Sequence, residues 1–390
     1  MKKNLCVAIV CVLFLFSVAG CISAPTQGKP GGEAPAVISV WYSLDGKNEE
    51  ELKKQFDRIN KERPEIFIKG EKVSESNFVE KVWNLQAGGE GPEIFIANRA
   101  TIFALYEKGA ISPALADKYH TFPSAQAVFT FNQQPFAAPW LADIPLLYYR
   151  ADRVQEPPLS MNGIIEKKNT IALKTFSLDL LGAWWKAEGG VLSSNGLPLV
   201  NAQTNLAFLN KVLFYKGEGT LLFDNQALER FVRGDVNYYL GWASDRIALE
   251  KAAIPWGCVS PTSLLGAGGQ VLLDHTIGIA NSSVKTVPAM ERAIRLAEEE
   301  LLKVQTEAPM QKSAGYIPLE DAYYSDVQPG SYHHQVKVTL ENALYLEGYH
   351  PDWKFMIFEN RAWANVAAGS NMETELAKEQ LSALETTKKP

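Results

Sequence analysis

The sequence predicts an α/β protein that opens as a parallel sheet covered by helices. Three observations carry this. β-rich runs at 37–42, 66–69 and 93–97 alternate with stretches of helical periodicity. Leu52, Phe56 and Ile59 recur at i, i+4 and i+7, and Phe78, Val82 and Leu85 repeat that spacing. Pro64, Gly88-Gly89 and Gly109 stand where those helices must stop. Three strand-helix units in succession build an open sheet, because each helix must bury its apolar stripe on the strands it connects. Ligands of such sheets bind beyond the carboxyl ends of the strands, which directs attention to 43–47 and 98–101.

Taken in order, the first helix carries Glu49, Glu50 and Glu51 early and Lys53, Lys54 and Arg58 later, complementing its dipole. A short helix through Ile102, Leu105 and Tyr106 follows the third strand. Between about 150 and 275 the character changes. Trp184, Trp185, Tyr215, Tyr238, Tyr239, Trp242 and Trp256 cluster, a strand is expected at 236–240, and a second domain is expected there. Trp184 and Trp185 read as helix core. Gly266-Ala267-Gly268-Gly269 reads as a turn before a strand at 271–273. After a strand at 276–280, one helix face is formed by Met290, Ala293, Ile294, Ala297, Leu301 and Val304. Glu298-Glu299-Glu300 reads as its solvated side, and His333-His334 as a surface loop. Helices close the chain through Val336, Leu340, Ala343 and Leu344, then over 376–384.

The chain has 390 residues, enough for two or three domains. With 46% hydrophobic and 21% charged residues it is neither disordered nor fibrous. A net charge of -6 with no basic block argues against a nucleic-acid partner. Lys2 and Lys3 precede an apolar run over 5–18, short for a spanning helix and right for a signal-peptide core. The run ends in Val18-Ala19-Gly20-Cys21, which resembles a lipobox, whose cysteine is lipidated and becomes the new N-terminus. Simple cleavage after a small residue is the alternative. Residues 1–20 are thus expected to be a signal peptide and 21–36 a flexible tether. Cys6 and Cys11 would leave with the signal and Cys21 would carry lipid, so Cys258 would have no intrachain disulfide partner.

Motifs for catalysis are missing: no Gly-x-Ser-x-Gly, no phosphate loop, no His-Glu-x-x-His and no Cys-x-x-Cys. None of His120, His275, His333, His334 and His350 has a Cys or carboxylate at ligand spacing, so neither metal nor cofactor is expected.

Trp41-Tyr42-Ser43-Leu44-Asp45-Gly46, Gly89-Glu90-Gly91-Pro92-Glu93-Ile94, and Pro139-Trp140-Leu141-Ala142-Asp143 with Leu147-Tyr148-Tyr149-Arg150 follow one another in a familiar order. Phe231-Val232-Arg233-Gly234-Asp235 leading to Gly241-Trp242, then Ile277-Gly278-Ile279-Ala280-Asn281, then 365–369 before the last helix, continue it. Together they resemble the extracellular solute-binding proteins of ABC importers, family 1, the maltose-binding type. The resemblance implies a two-lobe periplasmic-binding-protein-like fold of type II, each lobe a sheet flanked by helices, with ligand in the cleft. One lobe would comprise 37–141 and 277–320, the other 142–276 and 321–390. It further implies hinge closure on a small carbohydrate and delivery to membrane permease subunits.

Carried over position by position, Asp45 and Asp143 match ligand-contacting polar residues, suited to sugars because a carboxylate accepts two hydroxyl hydrogen bonds. Asp45 also reads as a turn residue before Gly46. Trp242 matches an aromatic that stacks on a sugar ring, or else belongs to second-lobe core. Trp140 at the first crossing, Ser177, and His275 beside the returning strand are further candidates. Where the maltose type places an aromatic, an acid and an arginine after the third strand, this chain has Ala97, Ala100 and Thr101, leaving Asn98 and Arg99 as polar substitutes. Its C-terminal aromatic pair falls near Met356 to Phe358, with Arg361 close by. The pocket is therefore expected to be reshaped away from maltodextrin. A monomer is expected, exported and held by Cys21 at the outer face of the cytoplasmic membrane or in the periplasm. A non-transport lipoprotein or sensor on the same scaffold, a binder of a non-sugar solute, and a hydrolase using Asp143 with Asp45 are the other readings.

Overall fold

A computed structural model describes residues 34–86, 88–114, 120–284 and 286–388. The segments expected as signal peptide and as most of the tether, with Cys21, lie outside the described residues. Strands in chain order are β1 Ala36–Tyr42, β2 Ile66–Lys72, β3 Ile94–Asn98, β4 Thr130–Phe131, β5 Gln134–Pro135, β6 Ala138–Ala142, β7 Pro145–Arg150, β8 Ile171–Leu173, β9 Ser193–Ser194, β10 Leu197–Pro198, β11 Leu221–Phe223, β12 Tyr238–Trp242, β13 Trp256–Val259, β14 Thr276–Asn281 and β15 Ile317–Pro318.

Two mixed sheets organise the chain. The first runs β15-β6-β14-β3-β1-β2 and the second β11-β8-β12-β7-β13. β1 lies parallel to β2 and β3, as the strand-helix units predict. β14 is antiparallel to both β3 and β6, and β15 to β6. The parallel expectation thus holds for the strands joined by local helices and gives way where the chain re-enters from the second sheet. In that second sheet β8 is parallel to β11 and β12, while β7 is antiparallel to β12 and β13.

The pleat sorts the first sheet's side chains. Ile38, Val40 and Tyr42 turn toward helix Gly46–Glu62, meeting Leu52, Phe56 and Ile59 together with Ala293, Ala297, Leu301 and Met310. Trp41 turns the other way, into the cluster of Phe78, Val82, Phe95, Ile102 and Leu105. Each Val, Leu, Ile, Phe or Met side chain among these, once fully buried, contributes about 1.5–3 kcal/mol. Helix Leu178–Ala187 is apolar nearly all round, and Trp184 and Trp185 are buried in the core as its sequence indicates.

Several expectations are corrected. Residues 271–273 form no strand. The Val271 carbonyl instead accepts from the Leu344 amide at 2.9 Å, so its backbone bonding goes to the segment after helix Tyr332–Glu341. The helix through Met290 ends at Leu301, and Val304 opens a second helix, Val304–Ala314. The Thr306 hydroxyl donates to the Glu300 carbonyl at 2.6 Å across this break. Glu298 and Glu300 are buried, because Asn281 donates to the first and Arg63 and Lys303 to the second. His333 and His334 are half-buried in the first turn of helix Tyr332–Glu341, which Ser331 caps. The strand expected at 236–240 sits two residues later. No helix among the described residues is long and apolar enough to cross a membrane.

Candidate functional site

The chain steps from the first sheet to the second at Asp143–Ile144 and returns into β14 past Asp274 and His275. Register places the relevant ends side by side. Ile277 pairs with Asn98, Thr276 with Ala142, and Trp242 with Pro145. The ends of β3, β6, β12 and the start of β14 therefore gather at the crossings. The Asp143 amide donates to the His275 carbonyl at 3.0 Å and the Ala243 amide to the Ile144 carbonyl at 2.8 Å.

Around these crossings stands a cluster of polar and aromatic groups. The Trp242 indole, half-buried at the end of β12, lies 4.5 Å from the exposed His275 imidazole, centroid to centroid. Arg99 opens helix Arg99–Glu107 and points Nε and Nη2 at Asp274 Oδ1, at 3.1 and 2.9 Å. Its guanidinium also rests 4.1 Å above the ring of Trp353. Asn98 caps that helix, accepting from the Thr101 amide at 2.9 Å and donating to Glu75 at 2.7 Å. Asp179, in the first turn of helix Leu178–Ala187, completes the group. Its donor atom and those of Asp274 and His275 lie within 4.8 Å of one another. Burial raises the Asp179 pKa, and the nearby Asp274 charge raises it further. Asp179 Oδ1 is buried without a hydrogen-bond donor. Among the described residues these three side chains form a set close enough to share a metal ion.

The structure thus brings Asn98, Arg99, Trp242 and His275 together, with Ser177 at the N-cap position two residues before Asp179. The other sequence candidates either lie away from this cluster or, like Asp143 at the crossing itself, turn their side chains to other partners. Asp45 is exposed and paired with Lys72 at 2.5 Å. Trp140 is fully buried within β6, whose every residue is buried. Asp143 is buried in the crossing, where Ser244 donates its amide and hydroxyl to the carboxylate. Burial pushes its pKa up to about 7, against the pull of those two bonds. Phe358 lies half-buried on helix Asp352–Ala367, and Arg361 pairs with Glu379 of helix Met372–Thr387 at 3.2 Å. Sequence reasoning missed Asp179, Asp274, Trp353 and Asn360. The Asn360 carbonyl oxygen accepts from the Leu178 amide at 2.7 Å. Only Asp274, adjacent to His275, left a local signal.

Comparison with known proteins agrees with this architecture. The family model described as bacterial extracellular solute-binding protein matches residues 54–335. The fold is similar to the maltose/maltodextrin-binding domain MalE from Bdellovibrio bacteriovorus bound to maltotriose, at 14% identity and TM-score 0.69, over 90% of this chain and 99% of that one. It is also similar to a cyclo/maltodextrin-binding protein complexed with maltotetraose, at 15% identity and TM-score 0.73, over 92% of this chain and 98% of that one. No curated protein matches. The likeness in structure establishes a two-lobe α/β fold with a sheet in each lobe. The family match spans most of the chain, and the protein therefore belongs to the bacterial extracellular solute-binding proteins, a family of binders and not of enzymes.

Proposed function

We propose that the protein captures a small carbohydrate, or a related polyhydroxylated solute, between its lobes and delivers it to the permease of an ABC importer. In this reading residues 37–141 with 277–320 form one lobe, and 142–276 with 321–390 the other. The observation that carries it is Trp242, a half-buried indole at the end of β12 beside His275 and close to two carboxylates. A flat apolar face covers the C–H face of a sugar ring, while carboxylate, guanidinium and imidazole groups exchange hydrogen bonds with its hydroxyls. Because Asp179 and Trp242 come from the second sheet and Asn98 and Arg99 from the first, a solute touching both stabilises the closed form. Family membership and the oligosaccharides held by proteins of similar fold support the same ligand class. Export and lipidation at Cys21 would keep the binder beside its permease.

A thermal-shift screen of the protein against mono- and oligosaccharides, polyols, peptides and polyamines tests the proposal, since a ligand of the folded state raises Tm. A saccharide hit lost in Trp242→Ala is the expected result. Binding confined to peptides or polyamines, or a saccharide hit indifferent to Trp242→Ala, would overturn it.

A further inference from the structure

We propose that Asp179, Asp274 and His275 form a site for a divalent transition-metal ion, of the zinc class, that ties the helix of the second sheet to the strand entry of the first. The proposal does not rest on the carbohydrate reading, although the two share one region of the molecule. Two carboxylates and an imidazole offer three donors from two distant stretches of chain, with their ligand atoms within 4.8 Å of one another. Donors held about 2.0–2.5 Å from one ion stand at most ~4–5 Å apart, so a small side-chain rotation brings all three onto it.

Three further observations point to a cation here. Asp179 Oδ1 is buried without a donor, although Asn360 and Ser177 hydrogen-bond the same carboxyl group, and a cation would satisfy the oxygen that they leave unpaired. Arg99 approaches Asp274 through Oδ1 alone, which orients the carboxylate and leaves its second oxygen for the ion. Trp242 packs on the His275 ring and limits its orientation. Arg99 offsets one of the two carboxylate charges, so the cluster keeps a net negative charge. Imidazole with carboxylates favours zinc-class ions over calcium or magnesium, which prefer oxygen ligands alone. His275 is exposed, giving the ion a path in. No spacing motif shows the site, because Asp179 lies almost a hundred residues before Asp274.

The test is calorimetric titration of the chelator-treated full-length protein with Zn²⁺, and separately with Ca²⁺. We expect one Zn²⁺ per chain, affinity lowered at least tenfold in both Asp179→Asn and His275→Ala, and Ca²⁺ bound at least tenfold more weakly than Zn²⁺. No saturable Zn²⁺ binding, or binding that persists unchanged in both variants and so comes from thiols or other histidines, would overturn the proposal. Should either variant misfold, the visible spectrum of the Co²⁺-loaded wild type decides: bands of nitrogen and oxygen ligation support the site, and their absence or a thiolate charge-transfer band refutes it. Saccharide titration in EDTA separates the two proposals, since sugar binding without Zn²⁺ binding removes only the metal site, and the converse removes only the sugar.

Discussion

Asp143 takes both donors of Ser244: the amide reaches Oδ1 at 3.0 Å and the hydroxyl reaches Oδ2 at 2.6 Å. This pins the first crossing between the sheets to the loop that follows β12. Above it, the Tyr148 hydroxyl donates to the Trp242 carbonyl at 2.9 Å and the Tyr332 hydroxyl to the Ala243 carbonyl at 3.2 Å. The crossing is held by hydrogen bonds on several sides of one short loop. Asp143→Ala leaves the Ser244 amide and hydroxyl without acceptors, and urea unfolding at pH 6 is expected to show a loss of about 3 kcal/mol. A loss under about 0.5 kcal/mol would mean that the clasp contributes nothing.

Asp143 also makes stability depend on pH. The unfolded chain ionises this group near its ordinary value of 3.8 and the folded chain near 7. Between those values only the folded protein holds the proton, so its stabilising contribution is complete below 3.8 and lost as pH rises through 7. Urea midpoints at pH 5, 6, 7 and 8 are expected to fall more steeply in the wild type than in Asp143→Asn. Parallel profiles would show that Asp143 ionises normally.

Glu359 is fully buried on helix Asp352–Ala367, with Trp363 Nε1 donating to one oxygen at 2.8 Å and no donor at the other. Burial pushes its pKa up to about 8. The sign matches that of Asp143: stability is complete below the ordinary glutamate range and lost as pH rises through 8. Glu359→Gln removes that loss, and its stability relative to wild type is expected to rise by on the order of 3 kcal/mol between pH 5 and 9. Equal urea midpoint differences at the two pH values would refute this.

Gly315 ends helix Val304–Ala314 in a left-handed turn at φ 83°, where a Cβ would stand 2.6 Å from the Cα of Ser244. Gly330 has a similar φ of 78° but open space around it. Gly330→Ala is expected to cost about 1 kcal/mol of backbone strain. Gly315→Ala meets backbone as well and should cost at least 2 kcal/mol more, by analogy with overpacked cores. Equal costs in thermal unfolding would mean that the Ser244 loop moves aside freely.

Asn205 is fully buried and saturated. Its oxygen accepts from Trp185 Nε1 at 3.0 Å and the Val191 amide at 3.1 Å, and its nitrogen donates to the Val191 and Leu199 carbonyls at 2.8 and 3.0 Å. Asn205→Ala strands these groups and is expected to cost about 3–5 kcal/mol by urea unfolding. A cost below 1 kcal/mol would show that water replaces the amide there.

The sequence made the local parts of this fold readable. Leu52, Phe56 and Ile59 announced helix Gly46–Glu62, and the runs beside it announced β1 to β3, because periodicity and chain neighbours decide those elements. The antiparallel entry of β14 was hidden, since its partners β3 and β6 precede it by the whole second sheet. Likewise Glu300 looked solvated until Arg63 and Lys303 arrived beside it. In the site, Trp242, His275, Asn98 and Arg99 were nameable from motif order, whereas Asp179 was not. Its place in the cluster comes from a helix start meeting a distant strand start, which no local pattern displays. Lys72 reaches Asp45 for a similar reason, through the register that sets Tyr42 opposite Lys72.

The place of β14 also sets the order in which the molecule can be finished. β3 and β6 emerge from the ribosome early, yet the strand that lies between them is made only after β7 through β13. Until then each presents an unpaired row of backbone donors and acceptors, the kind of surface that pairs with other chains. The nascent protein can complete its second sheet while its first is still in two pieces. Closing the first sheet is a late, high-contact-order event, and a slow one.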